Sequence, residues 1–247
     1  MNWDYIGEIL TWQPQYLPGV LAIAAVTIGF IVYYFIMISP KLEQRMLAKH
    51  GEEEGGIRWV IFQRLVGAAA LGIPSLLIVP LFLDASPGTY GMSFGTSTEG
   101  LIYILVFGAI IIPMNLYRAG KAPNLVQYPQ IRAKRWDMNL LLMSSGSWIL
   151  YLLGYELVFR GFLLYGCVET MGVWPAIAIN ASIYSFAHFF KGIGETVGAI
   201  PFGIIMSIVT LHTGSFLVAF VVHCFLALSN QTVAMFAHPE MEWVKKR

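Results

Sequence analysis

Apolar residues fall in long uncharged runs separated by short polar stretches, and most runs approach the roughly 20 residues a helix needs to cross a bilayer. Residues 20–38 form the first run, opened by Pro18-Gly19 and closed by Pro40. Residues 65–83 form the second and contain Pro74 and Pro80, whose freed backbone groups neighbouring helices can satisfy. Residues 101–117, 138–155, 171–190, 197–211 and 214–235 follow, giving seven expected spans. Between them, residues 41–64 are polar and of mixed charge. Within that stretch 42–50 reads as a short amphipathic interfacial helix and 51–56 as an exposed Gly/Glu turn. Residues 84–100 form a Gly/Ser/Thr-rich loop, and 118–137 a basic loop. The pattern predicts an all-α, polytopic transmembrane helix bundle of about seven spans. Its expected units are 1–137 (membrane anchoring), 138–236 (a core formed by the last four spans, where the chemistry concentrates) and 237–247 (a basic tail).

Composition agrees with this reading. The chain is 57% hydrophobic and only 12% charged, with a mean hydropathy of +0.67; soluble domains carry about 25% charged residues. The expected partners are therefore the lipid bilayer and, as developed below, a protein or peptide substrate. A net charge of +1 without a basic stripe argues against a nucleic-acid partner. Cys167 and Cys224 both lie in apolar runs and have no metal-binding spacing. Asp4 and Glu8 precede the first apolar run, the wrong flank for a cleavable signal peptide. Positively charged loops stay cytoplasmic. With the N-terminus outside, seven spans put residues 41–64, the 118–135 loop and the C-terminal Lys245-Lys246-Arg247 all inside. A multi-pass protein with cytoplasmic C-terminus is expected, in the plasma (inner) membrane if the source is prokaryotic.

Three ionisable residues sit well inside apolar sequence: Glu156, His188 and His223. Such residues are costly in lipid, face the bundle interior and usually mark function. Arg160 lies four residues after Glu156, on the same helical face, so the two can pair. One carboxylate and two imidazoles on separate helices suit general-base activation of a water. The same set could hold a divalent metal such as zinc. The plainer readings are an interhelical hydrogen bond for each histidine and a structural clamp for the Glu156/Arg160 pair.

The segment Tyr155-Glu156-Leu-Val-Phe-Arg160-Gly161-Phe-Leu-Leu, then Tyr184-Ser-Phe-Ala-His188, then His223 resembles the CPBP family, the CAAX-protease and bacteriocin-processing (Abi-like) intramembrane proteases. The family's signatures are EExxxR, FxxxH and HxxxN or HxxxD. The resemblance covers residues 138–231, with 32 residues from Glu156 to His188 and 35 from His188 to His223. It implies an intramembrane endopeptidase in which Glu156, Arg160, His188 and His223 are site residues and a metal, if used, is held by Glu156, His188 and His223.

Three departures matter. Tyr155 stands where the family has its first glutamate, Tyr184 replaces a phenylalanine, and Ala227 replaces the Asn or Asp of the third motif. Asn230 follows a further turn along. The missing carboxylate could come from Glu156 if the segment after Gly154 rotates, or from Glu195 seven residues after His188. The Tyr-Glu pair with His188…Lys191…Glu195 resembles one bacterial branch of the family, which implies a place for Glu195 in the site. Depth poses a problem: Glu156 lies about 27 Å along its span, towards the outer side, whereas His188 falls near the inner end of the next. Two rival readings stand beside the protease: a catalytically inactive binding relative that has lost the groups at 155 and 227, and a small transporter using the same buried charges.

Overall fold

The computed structural model describes residues 10–245. Asp4 and Glu8 of the acidic stretch, and Lys246 and Arg247 of the tail, lie outside the described residues. The chain is an all-α polytopic bundle. Helices α1 (Leu17–Met37), α2 (Pro40–His50), α3 (Glu52–Phe82) and α4 (Thr98–Arg118) come first. Then α5 (Met138–Glu156) runs through a buried π-helical segment, Leu157–Leu163, into α6 (Leu164–Met171). Helices α7 (Val173–Phe186), α8 (Ile193–Thr213) and α9 (Leu217–Ala237) follow.

Among the described residues six helices are long and apolar enough to cross a membrane, the fourth being the continuous Met138–Met171 unit. The fifth expected span is the exception. Helix α7 has 14 residues, about 21 Å at 1.5 Å per residue, short of a hydrocarbon core of about 30 Å. Gly172 (φ 84°) and Gly192 (φ 87°) set its limits by starting and ending the chain reversals around it, at backbone angles that favour glycine.

The segment 51–56 also differs from expectation. Only Gly51 (φ 83°) makes the turn. Glu52, Glu53 and Glu54 form the first turn of α3, where the positive end of the helix dipole favours carboxylates. Arg64 consequently lies inside a spanning helix and is buried, 3% exposed.

Helices α3 and α5 pack through small residues, as membrane helices do when there is no hydrophobic drive between them. A Cβ at Gly72 would lie 2.9 Å from Gly154 Cα, and one at Gly67 2.5 Å from the Tyr151 ring. Gly72→Leu is therefore expected to lower the thermal midpoint in detergent, by an overpacking cost of about 1–3 kcal/mol or more. An unchanged midpoint would contradict this close approach.

One end of the bundle gathers all three Lys/Arg-bearing segments. Ile57, Ile131, Ala133, Trp136, Leu140 and Met235 share one cluster there. Strand β1 (Arg135–Trp136) pairs in parallel with β2 (Glu242–Trp243), and Arg135 meets Glu242 at 3.2 Å.

Candidate active site

The depth problem resolves in the lengths of the helices. The Met138–Met171 unit has 34 residues, about 51 Å long. Coming back down about 21 Å of α7 brings the chain to about 30 Å from Met138. Tyr155 sits about 26 Å along the same axis. His188, just past the end of α7, therefore meets Tyr155 at mid-bundle: their ring centroids are 6.2 Å apart. Helix α9 crosses antiparallel and adds His223, 5.8 Å from the Tyr155 ring. Tyr184 stacks obliquely on His188 at 4.7 Å.

Glu156 and Arg160 are fully buried, and they form an ion pair at 3.5 Å. Glu156 does not turn to His188. Its Oε1 accepts a hydrogen bond from His223 Nδ1 at 2.6 Å. The π-helical segment follows directly, and its wider turn changes the angular relation between the motif's side chains that a regular helix would set. Arg160 donates to the Asn180 side-chain oxygen, and its guanidinium carbon lies 4.5 Å over the Tyr184 ring. Asn180 in turn donates to the Phe159 carbonyl. Cation–π attraction and the buried carboxylate stabilise a charge that burial alone would penalise.

The tautomers follow from these partners. His188 Nδ1 lies 2.8 Å from the Tyr184 carbonyl oxygen, which can only accept, so Nδ1 carries a proton and Nε2 of the neutral ring is a free acceptor. His223 Nδ1 donates to the Glu156 carboxylate, which fixes its ring and offers a counter-charge to the imidazolium form. Both imidazoles line a cavity of about 790 Å³ together with Tyr155 and Tyr184. The cavity extends past Glu195 to Arg118, Lys121 and Gln127, at the end of the bundle that holds the basic loop.

Glu195 lines the same cavity, yet its partners are others. Tyr128 Oη donates to its Oε1 at 2.9 Å, and Lys191 Nζ lies 3.6 Å from its Oε2. Burial pushes the Tyr128 phenol up from its ordinary value, so it remains a donor at neutral pH. Ala227 and Asn230 also line the cavity. His212 is away from it, near the end of α8 against Tyr103.

The set Glu156, His188 and His223 is not assembled as a metal site. Among the described residues no group of three or more His, Cys, Asp or Glu side chains could hold a metal ion. The reason is local: the Glu156 carboxylate is occupied by His223 Nδ1 and Arg160.

Several residues escaped the sequence reading. Asn180 is an uncharged polar residue one turn before Tyr184, and that spacing puts both on the face that meets Arg160. Arg64 forms a second buried polar cluster. It donates to the Ser144 carbonyl (2.9 Å), Ser147 Oγ (3.1 Å) and Gln231 Oε1 (3.3 Å), and lies 4.3 Å over Trp148. Ser144 and Ser147 serve as acceptors for this arginine.

The fold and site together are a multi-pass helical bundle enclosing a buried carboxylate, an arginine and two cavity-lining histidines. Residues 137–229 match the family described as type II CAAX prenyl endopeptidase Rce1-like. This match, over about two-fifths of the chain, supports a CPBP/CAAX-protease family assignment for that segment. No curated protein and no solved structure matches it.

Proposed function

We propose that the protein is an endopeptidase that hydrolyses a peptide bond inside the bundle, with His188 as general base and His223 as the group that polarises the scissile carbonyl. The observation that carries this is the pair of imidazoles lining one cavity, each with Nδ1 committed to a protein acceptor. Both Nε2 atoms are thereby left for chemistry. His188 Nε2 takes a proton from the attacking water. His223, as the imidazolium backed by Glu156, presents Nε2–H to the carbonyl oxygen as negative charge develops there. Arg160 holds Glu156 and is itself held by Asn180 and Tyr184. Glu195 keeps Lys191 and Tyr128 in place beside the cavity and is a positioning residue in this reading. No step is routed through a metal, because the side chains present do not form a ligand set.

The test uses the purified chain in liposomes with quenched-fluorescent peptides, one ending in a prenylated CAAX sequence and one carrying a transmembrane segment. Cleavage at a single bond is expected, with one ¹⁸O from labelled water in the new carboxylate. His223→Ala is expected to lower kcat by about 10²–10³. Full activity in that variant would remove the assigned role.

The inactive-relative reading has one observation in its favour: among the described residues no carboxylate hydrogen-bonds His188, whose Nδ1 partner is a backbone carbonyl. It predicts no turnover of either peptide by the wild-type chain.

The three Lys/Arg-bearing segments share one end, and the positive-inside rule makes that end cytoplasmic in this proposal, with the cavity reaching towards it. A cysteine-reactive, membrane-impermeant probe should fail to label a cysteine introduced at Glu240 in intact cells and should label it in inverted vesicles. Labelling in intact cells would reverse the orientation.

A further inference from the structure

The third family motif would place an Asn or Asp four residues after His223, and this chain has Ala227 there, contributing only a methyl group to the cavity. Asn230 is seven residues beyond His223, about 10 Å along the α9 axis, too far to share one carbonyl oxygen with His223. Tyr155 differs from both. Its ring lies 6.2 Å from that of His188 and 5.8 Å from that of His223, nearly perpendicular to each (87° and 82°). It lines the cavity and is 3% exposed. Its ring is held by stacking on Phe159 at 4.5 Å and by Tyr151 at 5.7 Å. Its hydroxyl is buried and has no hydrogen-bond partner among the described residues.

A buried hydroxyl without a partner costs about 1–3 kcal/mol. Phenylalanine would fill the same space, keep the stacking and avoid that cost. An unpartnered hydroxyl on a cavity-lining ring close to both imidazoles is matched instead to an acceptor that arrives with the substrate. We propose that Tyr155 is a catalytic residue whose phenolic O–H donates a hydrogen bond to the oxyanion formed from the scissile carbonyl. This rests on the peptidase reading above.

In the step, the water oxygen bonds to the carbonyl carbon and its proton passes to His188 Nε2. The carbonyl π pair moves onto oxygen, which accepts hydrogen bonds from Tyr155 Oη–H and His223 Nε2–H. The tetrahedral species then re-forms C=O, the C–N bond breaks, and His188 Nε2–H returns its proton to the departing amine nitrogen. The phenol keeps its own proton throughout. The residue at the position of the family's first glutamate thus supplies a hydrogen-bond donor, where Ala227 offers only a methyl group.

Tyr155→Phe separates this role from a structural one. Its kcat on the liposome peptides is expected to fall about 100-fold, with KM within twofold and a thermal midpoint equal to or above wild type. Wild-type kcat in Tyr155→Phe overturns the proposal while leaving the His188/His223 reading intact. Retained activity in His188→Ala overturns that reading instead. A peptide phosphinate, whose tetrahedral anionic oxygens imitate the oxyanion, gives a readout that needs no turnover. Tyr155→Phe should bind it about 100-fold more weakly than wild type and bind the parent amide peptide equally. Equal phosphinate affinity in the two proteins also overturns the proposal. Should Tyr155→Phe lower the thermal midpoint, 3-fluorotyrosine at 155, which keeps ring and hydroxyl, is expected to retain at least one-tenth of wild-type kcat; loss as deep as in Tyr155→Phe would count against the hydroxyl.

Discussion

His188→Ala is expected to reduce kcat on the liposome peptides by about 10²–10⁴, the range a positioned general base supplies, with the helical content and thermal midpoint close to wild type. The effect should be large because His188 Nε2 is the only imidazole acceptor in the cavity that is not backed by a carboxylate. His223 donates Nδ1–H to Glu156 at 2.6 Å and in its charged form has no lone pair to offer. Stability should change little because His188 lies at the turn after α7, and among the described residues its side chain hydrogen-bonds only the Tyr184 carbonyl in that helix. Single-turnover rates and circular dichroism of the same preparation check both halves. Turnover within tenfold of wild type would end the general-base assignment.

Glu156→Gln should damage activity and fold together. Among the described residues the carboxylate is the only acidic partner of two buried groups, Arg160 and His223. Gln keeps the shape and removes the charge, which leaves Arg160 buried beside neutral acceptors. Breaking one side of a buried pair costs about 3–5 kcal/mol, so the thermal midpoint should drop by several degrees or more. Activity should fall by between about 10-fold, typical of a positioning partner, and 10⁴-fold, reached where a carboxylate sets the state of a catalytic histidine. Glu156→Asp, which keeps the charge and shortens the reach, should recover much of the stability and little of the activity. If Glu156→Gln keeps both the wild-type midpoint and wild-type kcat, the carboxylate has neither role. Glu195→Gln is the contrast. Its carboxylate meets Tyr128 and Lys191 in a part of the molecule that is one-third exposed, and a loss of no more than about tenfold is expected.

The site was legible in the sequence to the extent that burial is expensive. Glu156, Arg160, His188 and His223 stand out because a charge or imidazole inside an apolar run needs a partner, and their order matches a family pattern. Which partner each takes was not legible. The expectation of Glu156 or Glu195 on His188 came from the family resemblance and from spacing along the chain. The structure pairs Glu156 with a histidine 67 residues away, across α5 and α9. Asn180 and Arg64 were passed over for a related reason. Asn180 carries no charge, and Arg64 sits at the end of a polar stretch where it reads as a loop residue. Only the helix-to-helix contacts show that each is enclosed.

The fold divides in the same way. Hydrophobic run length by itself determined a multi-pass helical bundle and the location of nearly every span, because a backbone in lipid must satisfy its own hydrogen bonds over a fixed thickness. The clustering of Lys and Arg likewise picked out the three segments that share one end. What the tertiary structure alone decided is depth and facing. The shortness of α7 between Gly172 and Gly192 brings His188 down to the level of Tyr155. The π-helical turn after Glu156 alters the face the motif presents, and α9 brings His223 against it. These depend on how long each helix is and how it is rotated against its neighbours. Packing sets both, and no local run of residues encodes them.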